Sequence, residues 1–228
     1  MPKHSRAVKF TDAKAEKPWL KRTAPSTYFI ESREKKKTFL IVCEGYTEQY
    51  YFKSFPVVTA EVKTVPLGCS SMTLVECALE IPRMEDYDEV WCVFDRDIKP
   101  DEANQKQDFD NAIHKALASK IHCAYSNDAF ELWFLLHFMF IEQEKRREFY
   151  FEQLSNRWNI NYAKTGKSAA FARTIYQRLI EDPLASQQTA IDFARKLHKD
   201  QIAKPFHKQN PVTTVYQLVE ILNKYLRQ

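Results

Sequence analysis

Apolar residues fall in short unbroken runs through the first half of the chain and in helically spaced stripes through the second. Thr38-Phe-Leu-Ile-Val-Cys43 is a continuous apolar run that stops at Glu44-Gly45, as a parallel strand buried on both faces reads before its loop. A helix is expected next. Thr47 suits its N-cap, Glu48 complements its first turn, and Tyr50, Tyr51, Phe52 and Phe55 supply an apolar face until Pro56 ends it. Val57 to Leu67 reads as a second strand region, followed by a helix from Ser71 to Leu79 or Ile81. Glu89-Val-Trp-Cys-Val-Phe94 is a third strand, closing on Asp95-Arg96-Asp97. A helix near Asp108 to Ser119 and a fourth strand at Ile121 to Tyr125 complete the alternation.

Strand and helix alternate from Thr38 to His137, which predicts an α/β fold: a Rossmann-like, mostly parallel sheet with helices on both faces. Beyond residue 142 no further strand is expected. Residues 143–157, 168–181, 184–199 and 214–227 read as helical, a C-terminal portion packed on the sheet. The expected division is an irregular arm at 1–36, an α/β domain at 37–141 and the helical portion at 142–228. No internal repeat or low-complexity tract interrupts it.

Composition narrows the class. A chain of 228 residues can bury a substantial core without disulfides. The five cysteines (Cys43, Cys69, Cys77, Cys92, Cys123) are an odd number without CxxC spacing, a usage that fits a reducing cytoplasm. The first residues are polar and basic. The most apolar run, Ala129 to Ile141, carries Glu131 and His137, so neither export nor a membrane span is expected. The formal net charge of +4 is unevenly placed: residues 1–37 hold eleven Lys/Arg against four Asp/Glu, or +7, which leaves −3 for residues 38–228. A basic arm of this kind either contacts a phosphate backbone or solubilises the chain.

The chemistry gathers at strand ends. In an open parallel sheet the crevice lies beyond the carboxyl ends of the strands, and Glu44 follows the first strand while Asp95 and Asp97 follow the third. Converging carboxylates repel, and a hard divalent cation with oxygen ligands relieves them. Mg²⁺ is the natural candidate, with Mn²⁺ as a substitute, and Glu48 could add a ligand for a second metal. Equally, acids at strand ends can be solvated loop residues, Glu48 can simply complement the helix dipole, and Arg96 can neutralise either aspartate.

Further along, Phe130, Trp133, Phe134, His137 and Phe138 recur at helical spacing and read as core, with Asp128 and Glu131 suiting a capping box. Glu131 and Asn127 are secondary site candidates because they stand at the top of the fourth strand. Lys164-Thr-Gly-Lys-Ser168 invites a phosphate-loop reading, which fails: Asn161 stands where the first glycine belongs, no buried strand precedes it, and the chain has only three glycines. Lys164 remains either a phosphate contact or a surface lysine. Thr214 and Gln217 suit a capping box opening the last helix, whose buried face is Val215, Leu218, Val219 and Leu222.

Several blocks together carry a resemblance: Glu44-Gly-Tyr-Thr-Glu48 with Tyr-Tyr-Phe after it, Val-Phe-Asp95-Arg-Asp97, Ser126-Asn-Asp-Ala-Phe-Glu-Leu-Trp133 with His137-Phe138, and Asn210-Pro-Val-Thr-Thr214. In order and content they resemble the RloB-like family of Toprim proteins, relatives of the AbiL abortive-infection component. The Toprim superfamily is characterised by a glutamate after one strand and Asp-x-Asp after a later one. The resemblance therefore implies that Glu44, Asp95 and Asp97 are metal or acid–base residues. It further implies phage defence, and an ATPase partner encoded nearby.

The expected function is a Mg²⁺-dependent nuclease or nuclease subunit acting on DNA or RNA. Topoisomerase and primase chemistries need further domains for which 228 residues leave no room. The alternative is a non-catalytic regulatory or toxin subunit that binds a metal–nucleotide or a partner ATPase; a purely structural adaptor would leave the acids without cation affinity.

Overall fold

The computed structural model describes residues 36–81, 86–97 and 105–226. The expected basic arm at 1–36 therefore lies outside the described residues except for its last position. Among the described residues five strands form one sheet: β1 (Lys37–Cys43), β2 (Ala60–Pro66), β3 (Glu89–Asp95), β4 (His122–Asn127) and β5 (Val212–Thr213). Their order is β2-β1-β3-β4-β5, parallel throughout except for the antiparallel β5. The described residues also form eight α-helices: α1 (Tyr46–Lys53), α2 (Ser71–Glu80), α3 (Gln105–Ala118), α4 (Glu131–Leu136), α5 (Arg147–Trp158), α6 (Ala169–Glu181), α7 (Gln187–Gln201) and α8 (Val215–Asn223). This is the mixed, Rossmann-like α/β architecture that the alternating pattern predicts.

Period-two alternation along β1 separates two cores. Phe39, Ile41 and Cys43 pack with α1 and with α4 to α8, whereas Leu40 and Val42 pack with α2 and α3. Because both faces are covered, the strand reads in sequence as an uninterrupted apolar run. The larger core centres on Tyr51, whose ring lies 5.3–5.8 Å from those of Phe52, Phe55, Phe130, Phe134 and Tyr176. Its hydroxyl accepts the Trp133 indole N–H at 2.8 Å. Burying each such ring contributes about 1.5–3 kcal/mol. The cluster locks α1 against α4 and α6, and so sets the relative positions of the acids those segments carry.

The crossover from β1 runs through α1 to β2, while that from β3 runs through α3 to β4 on the opposite face. The adjacent strands β1 and β3 thus send their chains apart, and the gap beyond their carboxyl ends is the topological switch point. Glu44 leaves one strand there and Asp95 ends the other.

Several local expectations are corrected. β5 is a strand beyond residue 142; at two residues it has no periodicity to read, and it exists because it lies antiparallel to Ser126-Asn127. Val57 lies outside β2 and makes an isolated bridge with Leu226. Gly45, not Thr47, is the N-cap of α1, so Thr47 lies buried inside the helix. Asp128 does not cap α4, which starts at Glu131 after Phe130; its carboxylate instead accepts the backbone N–H of Arg147, the first residue of α5, at 3.1 Å. Thr214 does precede α8, but its hydroxyl accepts the Tyr125 N–H at 2.9 Å and makes no cap. For Asp128 and Thr214 a long-range partner took the side chain that local pattern assigned to a helix end. Among the described residues no helix is long and apolar enough to cross a membrane.

Candidate functional site

Two clefts, of about 460 and 220 Å³, meet over Glu44, Gly45, Asp95 and Asp97 at the switch point. The larger runs toward Ser70 and Ser71 at the start of α2; the smaller is walled by Glu48, Glu131, Arg147 and Lys167. Glu44 is positioned by its backbone, whose N–H donates to the Val93 carbonyl at 2.9 Å, and its Oε2 accepts the Asp95 N–H at 3.1 Å. Gly45 lets Glu48 lean back over the turn, since a Cβ there would stand 2.8 Å from Glu48 Oε2.

The acids at the cleft floor are poorly compensated. Asp95 Oδ2 accepts the Phe130 N–H at 2.9 Å, but its Oδ1 is buried without a hydrogen-bond partner, as is Glu48 Oε2. Burial first, and then Glu48, Glu44 and Glu131, push the Asp95 carboxyl well above the usual range. Burial, with Glu131 and Glu44 adding to it, pushes Glu48 up to about 7 against the relief offered by Lys167. Glu44 is raised as well, chiefly by burial and secondarily by Asp97, although the Asp95 N–H, Arg147 and Lys167 pull it down.

Asp97 is handled differently, because Arg147 Nη1 meets its Oδ1 at 2.6 Å. The same guanidinium reaches the fully buried Asp128, with Nη2 3.6 Å from Oδ1. Burial opposes the Arg147 charge, but Asp128, Asp97, Asp95 and Glu131 outweigh it and hold its pKa above the ordinary value. Glu131 is 2 % exposed and accepts the Tyr162 hydroxyl at 3.2 Å. Tyr162 opens a π-helical turn, Tyr162–Gly166, and its ring lies so close to Gly166 that a Cβ there would come within 2.4 Å. That contact explains the glycine in the Lys-Thr-Gly-Lys-Ser stretch without any phosphate loop.

Of the residues singled out from sequence, Glu44, Glu48, Asp95, Asp97 and Glu131 come together. Asn127 and Lys164 do not. Asn127 is buried beneath the neighbouring loop, accepting from Arg96 at 3.4 Å and donating to the His207 carbonyl at 3.3 Å. Lys164 is exposed away from both clefts, and Lys167, three residues on, lines the smaller one instead. Arg96 donates to the His207 carbonyl, turned from the aspartates it might have neutralised. His137 is a core histidine, 3 % exposed, its Nδ1 at 2.9 Å from the Trp133 carbonyl and its pKa lowered by burial to about 4. Sequence reasoning missed Arg147 and Lys167, which sit in helical or polar stretches far along the chain from the acids they face.

Among the described residues no group of three or more His, Cys, Asp or Glu side chains is arranged to hold a metal ion. Two of the acids are engaged by partners: Arg147 meets Asp97, and Glu44 Oε2 accepts a backbone N–H. What remains on offer is hard oxygen donors, two of them orphaned inside the cleft. That donor chemistry suits Mg²⁺, which is commonly held by one or two carboxylates plus waters and substrate phosphates, not by an all-protein cage.

Comparison with curated proteins and with solved structures returned no match. A family model described as RloB-like protein matches residues 39–222, a span that holds the whole carboxylate cleft together with Arg147 and Lys167. The chain therefore belongs to the RloB-like family.

Proposed function

We propose that the chain is a metal-dependent nuclease of Toprim type, or the nuclease subunit of an anti-phage assembly, that hydrolyses phosphodiester bonds in DNA or RNA. The observation that carries this reading is the pair of buried, partnerless carboxylate oxygens, Asp95 Oδ1 and Glu48 Oε2, in a cleft whose rim carries Arg147 and Lys167. Buried acids without partners are destabilising, and a fold retains them where a ligand completes them. Glu44 and Asp95 would hold the cation, with Glu48 beside them and Asp97 joining when it leaves Arg147. Bound there, Mg²⁺ or Mn²⁺ would supply charge to polarise the phosphate and to acidify a water. Lys167 and Arg147 would take the non-bridging phosphate oxygens as charge develops on them. Membership of the RloB-like family fits a phage-defence context, and an ATPase partner belongs to the same proposal.

A second reading, a non-catalytic subunit that binds a metal–nucleotide or a partner ATPase, draws on one observation: the Asp97–Arg147 ion pair engages one of the three acids. One set of assays separates the two. The protein, with and without its ATPase partner, is incubated with DNA, tRNA and total RNA in Mg²⁺ and in Mn²⁺, and its thermal unfolding is followed in parallel. Cleavage together with a cation-dependent rise in Tm supports the nuclease, whereas a rise in Tm without cleavage in any mixture supports the binding subunit. Absence of any cation response at millimolar metal would sink the nuclease and the metal–nucleotide subunit, leaving only binding of the partner ATPase.

A further inference from the structure

We propose that Tyr46, backed by Tyr50 and Arg173, is a stacking platform for an unpaired nucleobase next to the carboxylate cleft, so that the nucleic acid taken by this site is single-stranded. The inference rests on the nuclease reading for what the cleft does, but the platform itself is a binding surface and stands on its own observations. Tyr46 lies two residues beyond Glu44 and lines the smaller cleft, yet is 57 % exposed. Among the described residues it is the one aromatic ring among the exposed large hydrophobic side chains.

Its ring is also set in place. Tyr50, one helical turn on, stacks with it at 6.2 Å between centroids and 22° between planes. Arg173 from α6 holds Tyr50 in turn, its guanidinium 4.7 Å over the ring and Nη2 donating to the hydroxyl at 2.9 Å. A tyrosine pair at i, i+4 on a solvated helix would by itself do no more than support that helix. Here the exposed member stands at the mouth of a cleft whose rim holds Lys167 and Arg147, cations suited to the backbone phosphates on either side of the stacked nucleotide. In a duplex every base face is covered by its neighbours, so only an unpaired or displaced base can lie on the ring.

Short oligonucleotides of about a dozen nucleotides, carrying 2-aminopurine at one position, are titrated with the full chain in EDTA, as single strands of DNA and RNA and as duplexes. The wild type is expected to bind the single strands more tightly than the duplexes and to quench the probe. Tyr46→Ala should abolish the quench and weaken single-strand binding about tenfold, leaving duplex binding unchanged, while Tyr46→Phe retains both signals. Equal affinity of the wild type for duplex and single strand, binding of neither, or Tyr46→Ala binding within about twofold of wild type would each overturn the platform. Because EDTA removes cleavage from the measurement, the two readings fail separately. A Tyr46-dependent quench in a protein that cleaves nothing rejects hydrolysis and keeps the platform; cleavage that is indifferent to Tyr46→Ala does the reverse.

Discussion

Two polar clusters sit at the carboxyl ends of neighbouring strands, and they are finished in opposite ways. Beyond β4, buried polar groups are paired through the returning chain. Ser126 Oγ meets Thr213 Oγ1 at 3.0 Å, Thr214 Oγ1 accepts the Tyr125 N–H at 2.9 Å and reaches the Cys123 carbonyl at 3.2 Å, and Asn127 and Arg96 share the His207 carbonyl. His207 is held in its turn by Asp110, at 2.7 Å through the backbone and 2.6 Å through the ring. The exception on that side is Asn210 Oδ1, buried without a partner. Beyond β1 and β3, by contrast, five acids crowd a cleft and two of their oxygens have no hydrogen-bond partner. The first cluster is the way a fold satisfies its interior; the second costs stability, and in the proposed function a cation from outside the chain would complete it.

Exchanging one group in each cluster gives the largest expected contrast. Asp95→Asn should reduce cleavage at least about a hundredfold. Its amide oxygen can still accept the Phe130 N–H while its NH2 faces Glu48 and Glu44, so stability should hold or rise by about 1 kcal/mol. Thr214→Val should do the opposite: it strands the Tyr125 N–H and costs about 1–3 kcal/mol in urea unfolding, with activity per folded molecule retained. If Asp95→Asn destabilises while Thr214→Val does not, the contrast between the two clusters collapses.

A smaller effect is expected in the pH dependence of metal-free stability. Glu48 keeps its proton in the folded state up to about pH 7, whereas unfolded it loses it near 4.5. The folded state therefore binds more protons across that window, and the Glu48 contribution to stability declines as pH rises from about 4.5 to about 7. His137, with its pKa lowered to about 4, acts in the other direction. The clean readout is thus the difference between wild type and Glu48→Gln in a chelator. That difference should grow in favour of the variant as pH rises, and a flat difference would remove Glu48 from the frustrated set.

The smallest expected effect separates two lysines three residues apart. Lys167→Ala, at the cleft rim, should lower cleavage by about tenfold, whereas Lys164→Ala, outside both clefts, should change it by less than about twofold. Equal losses would mean that the rim charge acts through the general field of the surface and not through a contact.

The sequence by itself determined the parallel strands and the acids they carry forward. An apolar run ending in an acid needs only local reading, because a strand buried on both faces must be continuously apolar and its loop begins where the first charge appears; Cys43-Glu44 and Phe94-Asp95 both announce themselves in this way. The helices of the second half were legible for the same kind of reason, since Ala172, Ile175, Tyr176 and Leu179 of α6 repeat at helical spacing. Only the tertiary structure decided which polar groups are satisfied. Thr214 and Asp128 carry the residue types of helix caps, but Tyr125 and Arg147, brought close by sheet pairing and helix packing, claim their oxygens. The pairing of Arg147 with Asp97, the arrival of Lys167 in place of Lys164, and the lack of any partner for Asp95 Oδ1 are likewise facts of three dimensions. Hydrophobic periodicity is written along the chain because burial acts on each residue in turn. A hydrogen bond or ion pair needs two groups at a set distance, and that distance exists only after the core around Tyr51 has closed.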